Sequence, residues 1–168
     1  MKNKKAVGIS LIWLLTLLPP VLVGTLSPIR KSDAWHTSRP AFAPPALVFP
    51  VVWSLLYIAA ASALTLQIFW ASNDVLASVK WTAVALVCAH LIIGFAWPVV
   101  WNANRVLAAI YMILAMLALL MPGIILTAKV NIYASALWSV MAVWLIFALI
   151  LSTASATKRQ TKGTAAAI

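Results

Sequence analysis

VLAAIYMILAMLALLMPGIIL, residues 106–126, is an apolar run without a single charged side chain. Wound as a helix at 1.5 Å per residue, it reaches about 31 Å, the thickness of a bilayer's hydrocarbon core. Four further runs of this kind lie on either side of it: Ala6 to Leu26, Pro45 to Phe69, Trp81 to Val100 and Ile132 to Ser152. None of the five contains Asp or Glu, and the only two acids, Asp33 and Asp74, fall in connections. Lipid cannot satisfy backbone N–H and C=O groups, so each run must satisfy its own as a helix. The reading is an all-α membrane protein, a five-transmembrane-helix bundle forming one domain over residues 1–168. Only the connection 27–44 is long; the others are short, which makes neighbouring helices antiparallel.

Composition excludes the soluble alternatives. Charged residues make up 8% and hydrophobic residues 65%, whereas a water-soluble domain needs about a quarter charged to keep its surface hydrated. A net charge of +10 would suggest nucleic acid in a soluble chain. Here the cations sit in small groups beside apolar runs, as the flanks of membrane helices do. Membrane lipids, anionic ones included, are therefore the expected partners, and nucleic acid is not. Lys2, Lys4 and Lys5 precede the first run, and Ser32-Asp33-Ala34 offers a small-x-small cleavage pattern. A signal peptide's apolar region spans about 7–15 residues, so this longer run is expected to stay as a helix, kinked at Pro19-Pro20. Basic residues are divided five to seven between the two sides, a slight lean towards a cytoplasmic C-terminus. Cys88, the single cysteine, reads as a small packing residue in an apolar run.

The most specific stretch is Arg39 to Tyr57, RPAFAPPALVFPVVWSLLY. Its prolines hold an extended approach to the membrane, and Pro45 suits a first helical turn. Phe49, Trp53, Tyr57 and Ala60 recur at i, i+4, i+8 and i+11, one aromatic stripe along a helix. In the third run His90, Gly94, Trp97 and Trp101 share a face at i, i+4, i+7 and i+11. In its Arg39-Pro40, Phe42, Pro44-Pro45, Phe49, Trp53 and Leu56-Tyr57, the stretch resembles the TspO/translocator-protein family of tryptophan-rich sensory proteins. Likewise HLIIGFAWPVVW, from His90 to Trp101, is similar to the family's third span. Trp144, Phe147, Ala148, Leu151 and Ser152 are similar to its fifth. This chain has His90 and Gly94 where the family carries Gln and Asn, Val140-Met141 for its Pro-Tyr, and Ser152 for its terminal Asn.

The resemblance implies a pocket among five helices, capped by the connection 27–44, for porphyrins or other flat hydrophobic molecules such as sterol-like lipids. Nine tryptophans suit that role, since flat aromatic walls stack on flat ligands. The expected ligand-binding residues are Trp35, Phe42, Trp53, Tyr57, His90, Trp97, Trp101, Trp144, Phe147 and Ala148. Trp13, Trp70, Trp81 and Trp138 read instead as headgroup-level belt residues. His90, an ionisable group inside a span, has three readings: a hydrogen bond to a neighbouring helix carbonyl, a ligand contact, or haem-iron ligation. Arg39 suits a porphyrin propionate or a lipid phosphate, and His36 reads as solvated. Ala59 and Ala63 permit close helix approach, within the bundle or in a homodimer. No cofactor is required, with porphyrin or haem entering as ligand. With no membrane-embedded acid and no Ser/His/Asp arrangement, the residues give no enzymatic reading, although porphyrin photodegradation has been proposed for the family. The expected function is a binding protein, sensor or carrier; the alternative is a scaffold or accessory subunit that kept the fold and lost the pocket.

Overall fold

The computed structural model describes residues 2–26, 39–72 and 74–166. Among them five helices account for the apolar runs: α1 Lys2–Leu26, α2 Val48–Phe69, α3 Ala77–Asn102, α4 Val106–Val130 and α5 Ile132–Ala166. All five are long and apolar enough to cross a membrane. Helix and apolar run differ at their ends, for local reasons. At α2 the expected start at Pro45 gives way to a turn in which Val48 N–H donates to the Pro45 carbonyl at 2.9 Å. Pro50 then sits in the first helical turn, where a missing N–H costs no bond. At α5 the apolar run stops at Ser152, yet the helix continues to Ala166. Its 35 residues span about 52 Å, well beyond a ~30 Å core. Alanine, lysine, arginine and glutamine extend a helix readily in water, so the helix outlasts its apolar run.

The connections are tight and chemically specified. Asn131 alone joins α4 to α5. Its N–H caps α4 through the Thr127 carbonyl at 2.8 Å. Its side-chain Oδ1 accepts from Ala134 N–H at 3.1 Å, the N-cap bond of α5. Between α3 and α4, Asn104 takes a left-handed conformation, φ 65°, which asparagine tolerates better than most residues. The α2–α3 connection is tied down by Asn131 Nδ2, donating to the Trp70 carbonyl at 2.9 Å. Lys80 Nζ donates to the Ile68 carbonyl at 2.7 Å, closing the end of α2.

The helices form a ring in the order α1, α2, α5, α4, α3, with α1 closing it against both α2 and α3. Helix α1 is almost entirely lipid-facing, with Leu11, Leu14, Leu15, Leu18 and Leu22 exposed. It approaches α2 where Gly8 leaves room: a Cβ there would meet Phe69 at 2.7 Å. Lys5 then lies 3.9 Å from the Trp70 ring centroid, a cation–π contact at the same end. Of the small pair on α2, Ala63 is buried and Ala59 half-buried.

One polar knot joins three helices inside the bundle, towards its Asn131 end. Gln67 Nε2 of α2 donates to Thr127 Oγ1 of α4 at 2.7 Å, and Trp138 Nε1 of α5 donates to Gln67 Oε1 at 2.9 Å. All three side chains are fully buried. Trp138 is thus a core residue and not the belt residue its position near a span's end suggested. Trp70 and Trp81 are exposed.

Two outcomes follow. The odd number of antiparallel spans puts Lys2 and Ala166 at opposite ends, so labels at Asn3 and Lys162 should report opposite compartments; matching compartments would refute the topology. Gln67→Leu strands two buried donors or acceptors and should cost about 1–3 kcal/mol, read as a lower unfolding temperature. Thr153→Val, removing an exposed hydroxyl bonded only within its own helix, should cost much less.

Candidate functional site

At the end of the bundle opposite Asn131, the aromatic stripes of three helices converge. Phe49 and Trp53 come from the first two turns of α2, Trp97 and Trp101 from the last turns of α3, and Trp144, Ala148, Leu151 and Ser152 from α5. Together they line a cleft. The rings touch one another. Trp53 stands 6.2 Å from Trp97 and 6.4 Å edge-on from Trp144, centroid to centroid. Trp97 stacks on Trp101 at 5.5 Å, and Phe49 meets Trp144 edge-on at 6.0 Å. The free volume inside is about 10 Å³, room on the order of one water. A flat ligand sandwiched between two rings needs roughly 7 Å between them, twice the 3.5 Å van der Waals contact of carbon. The cleft is therefore closed: Trp53 and Trp97, tilted by 34° and in contact, leave no such gap between them.

Polar groups around the cleft are few and unevenly placed. Trp97 Nε1 donates to the Ala109 carbonyl of α4 at 3.1 Å, which fixes that ring against its neighbour. Trp144 Nε1 is buried with no hydrogen-bond partner, and the Ser152 hydroxyl lies on the same helix. A buried N–H without an acceptor costs about 1–3 kcal/mol.

Half of the expected site residues meet here: Trp53, Trp97, Trp101, Trp144 and Ala148. Tyr57 and Phe147 stand behind the walls, Tyr57 stacked on Trp53 at 5.5 Å and Phe147 against Trp144 at 5.3 Å. Phe42 does not line the cleft. It is 55% exposed because its neighbour Ala43 takes the inward place in the turn, buried against Phe49 and Leu151. His90 lies deeper, its Nδ1 3.3 Å from the Met116 carbonyl and its ring edge-on to Trp138 at 6.2 Å. This is the helix-carbonyl arrangement, away from the cleft. Trp35, His36 and most of the capping connection lie outside the described residues. Phe49, Leu151 and Ser152 join the site without having been expected in it. Each carried a usable signal, Phe49 one turn before Trp53, Leu151 and Ser152 two turns after Trp144.

The TspO/MBR family profile matches residues 12–157, nearly all of the five-helix unit. The chain belongs to the TspO/MBR family. Membership accords with five membrane-spanning helices and makes this an integral, multi-pass membrane protein. It also supports a general role in membrane ligand binding. No curated protein matches the sequence. Within this TspO/MBR chain, several of the residues that carry the resemblance line the cleft: Phe49 and Trp53, Trp97 and Trp101, Trp144 and Ala148.

Proposed function

We propose that the protein is a membrane-embedded sensor or carrier that binds porphyrins or other flat hydrophobic molecules in this cleft. The observation that carries the reading is the meeting of tryptophans from three separate helices around one cleft, with a buried Trp144 N–H facing no protein acceptor. Helix packing alone has no need to gather so many large rings at one spot. A planar ligand would stack on Trp53 and Trp97 and offer an acceptor to the α5 wall. Ring stacking contributes about 0.5–1.5 kcal/mol beyond area burial, so each wall is worth a measurable part of the affinity.

A scaffold that retains the fold without a ligand is the second reading. The narrowness of the cleft, about 10 Å³, favours it. Binding under the first reading requires the rings to part, and the stacking they lose on parting is recovered on the ligand.

Quenching of tryptophan fluorescence by protoporphyrin IX, with the protein in lipid nanodiscs, separates the two. Saturable quenching is expected, and none would leave the scaffold. Trp53→Leu or Trp144→Leu should weaken binding about tenfold, the equivalent of about 1.4 kcal/mol, in a protein that stays folded and monodisperse. Trp81→Leu, at an exposed belt position, should change little. Equal losses from all three would mean that the tryptophans stabilise the bundle generally.

A further inference from the structure

At the Asn131 end, two lysines from different helices close on the last turn of a third. Lys5 of α1 lies 3.9 Å from the Trp70 ring centroid and 5.9 Å from that of Phe69. Lys80 of α3 donates to the Ile68 carbonyl at 2.7 Å and stands 5.3 Å from the Trp81 ring centroid. Ile68, Phe69 and Trp70 are consecutive at the end of α2, so both ammonium groups sit at the one corner where α1, α2 and α3 meet. The negative end of the α2 dipole helps to hold them there. Their donors are far from used up. An ammonium has three; Lys80 spends one on Ile68, and the exposed Lys5 meets only rings among the described residues. Asp74, the one acid among the described residues, is exposed in the α2–α3 connection and forms no ion pair with either lysine. Two like charges at one helix end repel each other, and an anion placed between them reverses the sign of that interaction.

We infer that this corner is a headgroup site for an anionic phospholipid, whose phosphate joins Lys5 to Lys80 and so fastens α1 to the bundle. The apolar surroundings select a lipid over a free anion. Away from the corner, the outer face of α1 is a row of exposed apolar side chains, Val7, Leu11, Leu14, Leu15 and Leu18, along which acyl chains can lie. Trp70 and Trp81 expose their rings beside the lysines, and indole favours the boundary between acyl chains and headgroups. A free phosphate would use the two cations alone; a phospholipid uses the cations, the rings and the apolar face together. Helix α1 gains most, since it is almost entirely lipid-facing, and a shared phosphate ties it to α3 across the end of α2. The site is independent of the tryptophan cleft, which lies at the other end of the bundle.

Native mass spectrometry of the whole protein, released from nanodiscs of mixed phosphatidylcholine and phosphatidylglycerol, counts the lipids it keeps. Phosphatidylglycerol should be kept in preference, and its presence in the discs should raise the unfolding temperature. A lysine beside an anionic headgroup is worth about fivefold in lipid affinity. Lys5→Gln and Lys80→Gln should each lower the preference by about that factor. Lys80→Arg keeps the charge and should keep the preference, which separates headgroup binding from the bond to Ile68. Lys129→Gln removes the same charge at the same end, but on α4, which the ring does not place beside α1; it should change little. Equal losses from the Lys5, Lys80 and Lys129 changes to Gln would mean that net charge alone draws the lipid, and would overturn the site. So would the absence of any preference in the unmodified protein, or a loss in Lys80→Arg as large as in Lys80→Gln. A preference without a rise in unfolding temperature would overturn the fastening of α1.

Discussion

Gln67 uses both ends of its amide inside the bundle, donating to Thr127 and accepting from Trp138. In water such a knot would be a modest addition to a hydrophobic core. In lipid the apolar surfaces of the helices gain little by leaving the solvent for one another, so close packing and hydrogen bonds between helices carry more of the cohesion. The polar ties between helices cluster, among the described residues, at the Asn131 end: the Gln67 knot, Asn131 to Trp70, Lys80 to Ile68, and Ser135 to the Ile124 carbonyl of α4. They fix α2, α4 and α5 relative to one another and hold the foot of α3. The opposite end is held mainly by stacked rings.

That division of labour suits a binding protein. Aromatic contacts exchange one partner for another with little loss, because a ring offers the same face to a neighbouring ring or to a flat ligand. Hydrogen bonds to a fixed carbonyl are less forgiving. Trp97, anchored to the Ala109 carbonyl, makes a stationary wall. Trp53 and Trp144 have no such anchor among the described residues, which leaves their rings more room to adjust. Pro98 lies between Trp97 and Trp101 and cannot donate to the Gly94 carbonyl, which loosens α3 where the cleft begins.

The sequence showed the fold through the one property lipid demands, uninterrupted apolar length, and all five spans followed from it. It showed the cleft where aromatic residues repeat at helical spacing, as at Phe49, Trp53 and Tyr57. The remainder depended on which way a face turns. Trp138 and Trp81 both lie near the start of a span, yet one is fully buried and the other exposed; the difference is the presence of Gln67 opposite, on a helix 71 residues away in the chain. His90 shares a face with Trp97 and Trp101, but two turns lower that face meets α4 and the Met116 carbonyl. Gln67 drew no notice because a lone glutamine in an apolar run has no periodicity to betray it. The length of α5 escaped because hydropathy reports the solvent around a helix and not whether the backbone stays wound.

The single-residue link at Asn131 also bears on how the protein is made. One residue spans at most about 3.6 Å, so α4 and α5 cannot sit apart in the membrane at any stage after both are wound. Once wound they behave as one helical hairpin, with the Asn131 turn carried together with both arms. Lys129 is the only charged side chain near that turn, so little resists its passage if the turn has to cross. The first two spans, joined by a long connection, are under no such obligation and can be threaded one after the other.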